Sequence, residues 1–313
     1  TAAELEKMMV AGCPFRAVIV SGAVDAGLVQ RARATGVDVH LQLELEASGA
    51  QPGSGGCAPP AAPPTRDALA LLCYTSGTTG DPKGAMLSHG NILAAVGSQL
   101  VAGISPLSTS AAAAQEVYLS YLPLAHIFET VVINLLIYCG AAIGFYQGDT
   151  LKIVDDLVAL RPTMFVSVPR LFNRIYDKIV SGAEAKGSIA AFLFRRALRS
   201  KIALLHETGS VEHDLWDRLV FRKVAATVGL DRCRYMITGS APISAAVKDF
   251  MRVAFRVTFI EGYGMTESST AGSICHLDDV TNGHVGMPAP AVELRLVDVP
   301  DMGYFASAVP PRG

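Results

Sequence analysis

Apolar and polar positions along the chain follow two alternating rhythms. Short apolar runs at Ala17 to Val20, Val37 to Leu41, Ala68 to Cys73, Glu116 to Leu122, Ala141 to Tyr146, Met164 to Val168, Arg234 to Ile237, Val257 to Ile260 and Val292 to Val297 have the length and residue types of strands. Helical spacing marks Ala26 to Thr35, a segment from about Ser88, a segment opening at Val131, Arg170 to about Leu205 and a segment after Pro242. Strands alternating with helices predict an α/β protein with a mixed or mainly parallel sheet flanked by helices.

Two of the helices carry further detail. After Pro242, Ile243, Val247, Phe250, Met251 and Ala254 share one face while Lys248, Asp249 and Arg252 fall elsewhere, and Pro242 is tolerated in a first turn. In the long region, Leu171, Ile175 and Ile179 share a face and Gly182 and Gly187 are the expected breaks. Residues 170–201 hold eight Lys or Arg against Asp177 and Glu184. That surplus reads first as a solvated face, with anionic lipid headgroups or a phosphorylated cofactor as the sharper alternatives.

With 313 residues the chain can bury a sizeable core, and its length suits about two domains. Half the residues are hydrophobic and 17% are charged. The most membrane-like stretch, Val131 to Tyr146, is broken by Asn134 and Gly140 and is too short to span, so no transmembrane helix is expected. A net charge of −2 gives no drive toward nucleic acid. Cys13, Cys57, Cys73, Cys139, Cys233 and Cys275 form no C-x-x-C pair, and several sit in apolar runs, which fits an intracellular, reducing compartment. Between Ala47 and Pro64 the composition shifts to Gly, Pro, Ser and Ala, the mark of a connector. The expected organisation is an N-terminal α/β portion over residues 1–46, a low-complexity loop over 47–67 and a core over 68–313. A start at Thr1 and an end at Pro310-Pro311-Arg312-Gly313 read as a piece of a longer polypeptide.

The candidate chemistry begins at Tyr74-Thr75-Ser76-Gly77-Thr78-Thr79-Gly80-Asp81-Pro82-Lys83-Gly84. Three glycines and four Ser or Thr hydroxyls leave backbone N–H groups unobstructed, and Lys83 adds a charge suited to a polyphosphate. A strand before the loop and a helix after it would complete a phosphate grip. The run is not a Walker A loop, since Lys83 is followed by Gly84 rather than Ser or Thr. By composition alone, a flexible surface loop is the blander reading. Three further segments stand out. His126 lies between Ala125 and Ile127, a setting that by itself suits a hydrogen-bonded core histidine. Thr238-Gly239-Ser240-Ala241-Pro242 joins a strand to a helix with residues small enough for a flat base to approach. Glu261-Gly262-Tyr263-Gly264-Met265-Thr266-Glu267-Ser268 combines an aromatic face, a hydroxyl and a carboxylate. A carboxylate beside a triphosphate calls for a divalent cation between them, so Glu267 reads as a Mg²⁺ ligand.

The run from Tyr74 to Gly84 closely resembles the phosphate-binding motif of the adenylate-forming superfamily, which includes acyl-CoA synthetases, luciferases and peptide-synthetase adenylation domains. All four segments occur in that family's order, and the likeness covers Ala68 to Pro290. Leu122-Pro123-Leu124-Ala125-His126-Ile127-Phe128-Glu129 and Val168-Pro169-Arg170-Leu171-Phe172-Asn173-Arg174-Ile175 look most like long-chain fatty acyl-CoA synthetases. The resemblance implies the large N-terminal domain of that fold, without its small C-terminal domain. It implies activation of a long-chain fatty acid by ATP to an acyl-adenylate, then transfer to coenzyme A, with Mg²⁺ as cofactor; the piece alone would turn over slowly or not at all.

Carried over by motif, Thr75, Ser76, Gly77, Thr78, Thr79, Gly80 and Lys83 hold the phosphates, and Gly239, Ser240, Ala241 and Pro242 stack on adenine. Glu261, Gly262, Tyr263 and Gly264 hold adenosine, with Tyr263 on the base, and Thr266 meets the α-phosphate. Glu267, with Thr75, holds the metal. His126 orients the carboxylate and the reacting phosphate, and Phe128 lines the acyl pocket. Lys83, His126, Thr266 and Glu267 are the expected catalytic residues. Peripheral association with the endoplasmic reticulum or another organelle membrane fits such a substrate. Two alternatives stay open: transfer of the acyl group to a carrier protein, and a noncatalytic nucleotide-binding module. No G-x-S-x-G elbow supports a hydrolase.

Overall fold

The computed structural model describes residues 17–20, 25–34, 36–49, 62–75, 82–103 and 115–309. The chain divides into two units, Thr1–Pro63 and Pro64–Gly313. In the first, β1 (Ala17–Val20), α1 (Ala26–Ala34), β2 (Asp38–Leu41) and α2 (Gln42–Gly49) follow one another, and β1 pairs with β2 in parallel. Val20, Leu28, Ala32 and Val39 form its small core. Helix α2 runs into the stretch that composition assigns to the connector, with a Gln42 to Glu46 side-chain bond of 2.7 Å on its exposed face. Cys13 and connector residues 50–61, Cys57 among them, lie outside the described residues.

The second unit is built on a seven-stranded sheet. Its strands are β5 (Val117–Ser120), β6 (Ala142–Phe145), β7 (Met164–Ser167), β8 (Tyr235–Thr238), β9 (Thr258–Tyr263), β10 (Ser273–Ile274) and β11 (Met287–Pro288), in the spatial order β11-β10-β9-β8-β7-β5-β6. The five strands from β6 to β9 pair in parallel, and β10 and β11 add antiparallel edges. The mixed, mainly parallel sheet therefore stands as expected. A separate antiparallel hairpin joins β3 (Leu69–Thr75) to β4 (Lys83–Ser88). Here the sequence reading needs correction: the phosphate-like loop connects two strands rather than running from a strand into a helix. The strand Lys83–Ser88 is short and mixed in polarity, so periodicity alone does not reveal it.

Side-chain alternation along the sheet explains its two layers. Helices α3 (His89–Val101), α4 (Ile127–Tyr138), α5 (Ile153–Leu160), α6 (Pro169–Ala185), α7 (Ser188–Thr208) and α8 (Ala245–Phe255) cover it, and Leu119, Phe165, Met236 and Phe259 join one core with the last four. Tyr118, Met164, Val166, Ile237 and Ile260 point the other way and join α3 and α4 through Ile92, Val96, Val131 and Leu135. Strand β7 is buried on both faces, as strands covered by two helical layers are. Ser88 caps α3 in a reciprocal capping box with Asn91.

Three further expectations change. Pro242 lies outside α8, whose N-cap is Ser244, because the chain turns through Ser240 before the helix begins. Gly182 remains inside α6; the break falls at Gly187 alone, which adopts φ 99°. Val292 to Val297 forms no strand: the sheet ends at β11, no further edge pairs with this segment among the described residues, and Leu294, Leu296 and Val297 stay exposed.

Candidate active site

Ligands in open α/β sheets sit beyond the carboxyl ends of the parallel strands. At that end, the segments following β5, β8 and β9 meet around a cavity of about 260 Å³. His126 and Phe128 come from the start of α4, Gly239 and Ser240 from the turn after β8, and Gly262, Tyr263, Gly264 and Thr266 from β9 and the turn beyond it. Val131, Val132, Leu135, Met164, Ile237 and Ile274 supply apolar lining from α4 and from the α3–α4 side of the sheet. The cavity therefore joins a polar rim made of loop residues to a hydrocarbon-like wall.

His126 is the N-cap of α4, and its Nδ1 accepts the backbone N–H of Phe128 at 3.2 Å. With Nδ1 engaged as acceptor, the neutral ring carries its proton on Nε2, which leaves one N–H donor free for a ligand. One turn on, Glu129 is fully buried and accepts from Tyr118 Oη at 2.7 Å and Ser120 Oγ at 2.6 Å, which ties the first turn of α4 to β5. Burial raises the Glu129 carboxyl above its ordinary value, against the lowering effect of the two hydroxyl donors. Burial also raises the neighbouring Tyr118 hydroxyl well above its usual range and pushes Tyr121 up to about 12.

The turns at the rim are strained. Ser240 has φ 71°, Ser269 φ 51° and Thr270 φ 94°, conformations that cost a side-chain-bearing residue, most of all a β-branched one. A Cβ on Gly264 would lie 1.1 Å from the Thr270 carbonyl oxygen, so the Thr266–Ser269 turn can fold back only over glycine. Two residues of the cavity lining, Thr238 and Thr270, carry buried hydroxyls that have no hydrogen-bond partner among the described residues. Unpaired buried hydroxyls each cost free energy, and a bound polar ligand would relieve them.

Not every expected residue reaches this cavity. Thr75 and Lys83 are paired in register on the β3–β4 hairpin and do not line it. The hairpin still touches the site, because the Cys73 thiol donates to the Ala125 carbonyl, next to His126, at 3.2 Å. Ser76, Gly77, Thr78, Thr79 and Gly80 lie outside the described residues. Ala241 and Pro242 are exposed just beyond Ser240. Glu261 departs from its assignment: strand alternation turns its carboxylate to the α8 side, where it accepts from buried Lys248 at 3.1 Å. Glu267 is exposed one residue after Thr266. Among the described residues no cluster of three or more His, Cys, Asp or Glu could hold a metal by itself. A magnesium ion carried chiefly by phosphate oxygens, with a single carboxylate, fits that composition.

A family profile described as "AMP-binding enzyme" matches residues 1–313. The chain belongs to the AMP-binding enzyme family. The chain is 43% identical over 301 residues to "Long chain acyl-CoA synthetase 7, peroxisomal" of Arabidopsis thaliana, with 96% of the chain and 41% of that relative covered. It is 39% identical over 292 residues to "Long-chain-fatty-acid--CoA ligase 5" of Rattus norvegicus, covering 93% of the chain and 41% of the relative. The chain thus spans about 41% of the length of these relatives. Its fold is similar to that of the A domain of a carboxylic acid reductase from Segniliparus rugosus, solved with AMP and a co-purified carboxylic acid. That similarity has a TM-score of 0.64 at 23% identity and covers 100% of this chain and 46% of that one.

Thr270 and Gln99 also line the cavity, although no motif in the sequence points to either. Thr270 follows the recognisable Thr266-Glu267 segment, but nothing in its letter announces a left-handed backbone. Gln99, on α3, sits among apolar helix positions and carries no motif.

Proposed function

We propose that this protein activates a long-chain fatty acid with ATP to an acyl-adenylate and then transfers the acyl group to coenzyme A. The observation that carries the reading is the joining, in one cavity, of the His126, Ser240, Tyr263 and Thr266 rim to an apolar wall from α4. A fatty carboxylate is already a nucleophile, so the reaction needs placement and charge stabilisation rather than an activated Ser or Cys. The carboxylate oxygen attacks the α-phosphorus, the bond from that phosphorus to the bridging oxygen breaks, and pyrophosphate leaves. The CoA sulfur then attacks the acyl carbonyl, its proton is lost, and AMP leaves.

In this reading the free Nε2–H of His126 meets the carboxylate or the α-phosphate. The Thr266 hydroxyl holds the α-phosphate, Tyr263 packs on adenine beside Gly239 and Ser240, and Phe128 with Val131, Val132 and Leu135 lines the acyl chain. Lys83 and the loop that precedes it hold the outer phosphates. Glu267 and, more weakly, Thr75 would ligate Mg²⁺, which when bound neutralises phosphate charge. Glu261 serves instead as the buried counter-ion of Lys248. The buried thiols of Cys73, Cys233 and Cys275 suit a reducing intracellular setting. No helix among the described residues is long and apolar enough to cross a membrane.

Pyrophosphate exchange into ATP, measured with acids from acetate to oleate and followed by CoA trapping, tests the proposal. Exchange that rises with chain length and yields acyl-CoA is expected. Exchange with equal response to acetate, or none with any acid in the longest available form of the protein, would contradict it.

A further inference from the structure

The first turns of α7 present a second apolar surface that has no part in the cavity. Ala191, Phe194 and Ala197 are buried against the core. On the outer side Ile189 is 76% exposed, Phe192 58% and Leu193 43%. At 3.6 residues per turn, Ile189, Phe192, Leu193, Arg196 and Arg199 fall within about a third of the helix circumference. Lys186, Arg196 and Arg199 are all exposed, and residues 186–199 contain four cations and no acid. Arg195, on the flank, pairs with Glu184 at 3.6 Å.

We propose that the N-terminal half of α7 docks the protein on an anionic phospholipid surface. Ile189, Phe192 and Leu193 enter the boundary between headgroups and acyl chains, and Lys186, Arg196 and Arg199 pair with lipid phosphates. The charge pattern selects this occupant. Cations grouped around projecting apolar side chains match an interfacial helix, which needs both signals because each is weak by itself. A nucleic acid would engage the cations but leave Ile189, Phe192 and Leu193 unused, and the whole chain carries a net charge of −2. A protein partner would have to present an acidic apolar groove, and absence of sedimentation with either vesicle type would point to it instead. The inference is independent of the chemistry assigned to the cavity, since no residue of this patch lines it.

Vesicle co-sedimentation of the chain tests it, with phosphatidylserine–phosphatidylcholine vesicles against pure phosphatidylcholine vesicles. Binding to the anionic vesicles is expected, lowered at least about tenfold by the double variant R196E/R199E and comparably by Phe192→Ser. Circular dichroism and thermal unfolding of both variants should match the parent, because all three side chains are exposed. Equal affinity for the two vesicle types, no sedimentation with either, or loss in the arginine variant with full binding retained by Phe192→Ser would each overturn the proposal.

Discussion

The core on the α5–α8 side of the central sheet and the cavity at the carboxyl ends of its strands use polar groups in opposite ways. On the α5–α8 face, charges are buried in pairs. Lys201 meets Asp217, Lys248 meets Glu261, and Arg252 meets Asp249, Asn282 and the carbonyls of Asp279 and Val280. Burial lowers the ordinary pKa of Lys201 and of Arg252, and the neighbouring carboxylates oppose that drop. At the carboxyl ends of the strands, around the cavity, the hydroxyls of Thr238 and Thr270 are left without hydrogen-bond partners among the described residues. A region that is satisfied within the fold serves as scaffold. A region with strained turns and orphan hydroxyls is arranged for something that arrives later.

Breaking a pair in the satisfied region should give the largest effect. Lys201→Met strands Asp217 in the core and should destabilise the protein by about 3–5 kcal/mol, read from denaturant midpoints. A change below about 1 kcal/mol would show that the pair is not part of the scaffold.

Next in size, Thr238→Val keeps the side-chain volume and removes an orphan hydroxyl. It should leave the unliganded protein equally stable or slightly more so, while weakening binding of an adenylate by about 1–3 kcal/mol in calorimetry. Lower stability with unchanged binding would place that hydroxyl in the scaffold.

The smallest effect concerns pH. The folded-state pKa of Glu129 is raised by burial, so its contribution to stability is fully present below the ordinary glutamate pKa and is lost as pH rises through the raised value. Across that window the parent should lose stability relative to Glu129→Gln, and above it the difference should level off. Parallel stability curves for the two proteins throughout would mean that Glu129 titrates as it does in the unfolded chain.

Much of this contrast was legible in the residues. The strands of the parallel sheet and the helices between them follow from hydrophobic periodicity, and His126, Ser240, Tyr263 and Thr266 follow from short motifs that meet at one cavity. What was not legible depends on direction and partnership. Lys248, Asp249 and Arg252 occupy positions off the apolar stripe of α8, yet all three are buried, because Glu261 on β9 pairs with Lys248 and the chain after β10 folds back to give carbonyls and Asn282 to Arg252 and Asp249. Glu261 stands in a motif beside Gly262, but one residue of strand alternation turns it to the opposite layer. The hairpin strand Lys83–Ser88 owes its existence to pairing with β3, and no local period encodes that partner.

The central claim is that the rim and the apolar wall hold the two ends of one acyl-adenylate. Calorimetric titration of the chain with a non-hydrolysable long-chain acyl-adenylate analogue, compared with AMP alone and with the variants Thr266→Ala and Leu135→Asn, tests it most directly. The account predicts that the analogue binds more tightly than AMP, that Thr266→Ala weakens both ligands, and that Leu135→Asn weakens the analogue and spares AMP. Equal affinity for analogue and AMP, or a Leu135→Asn variant that loses neither, would contradict it.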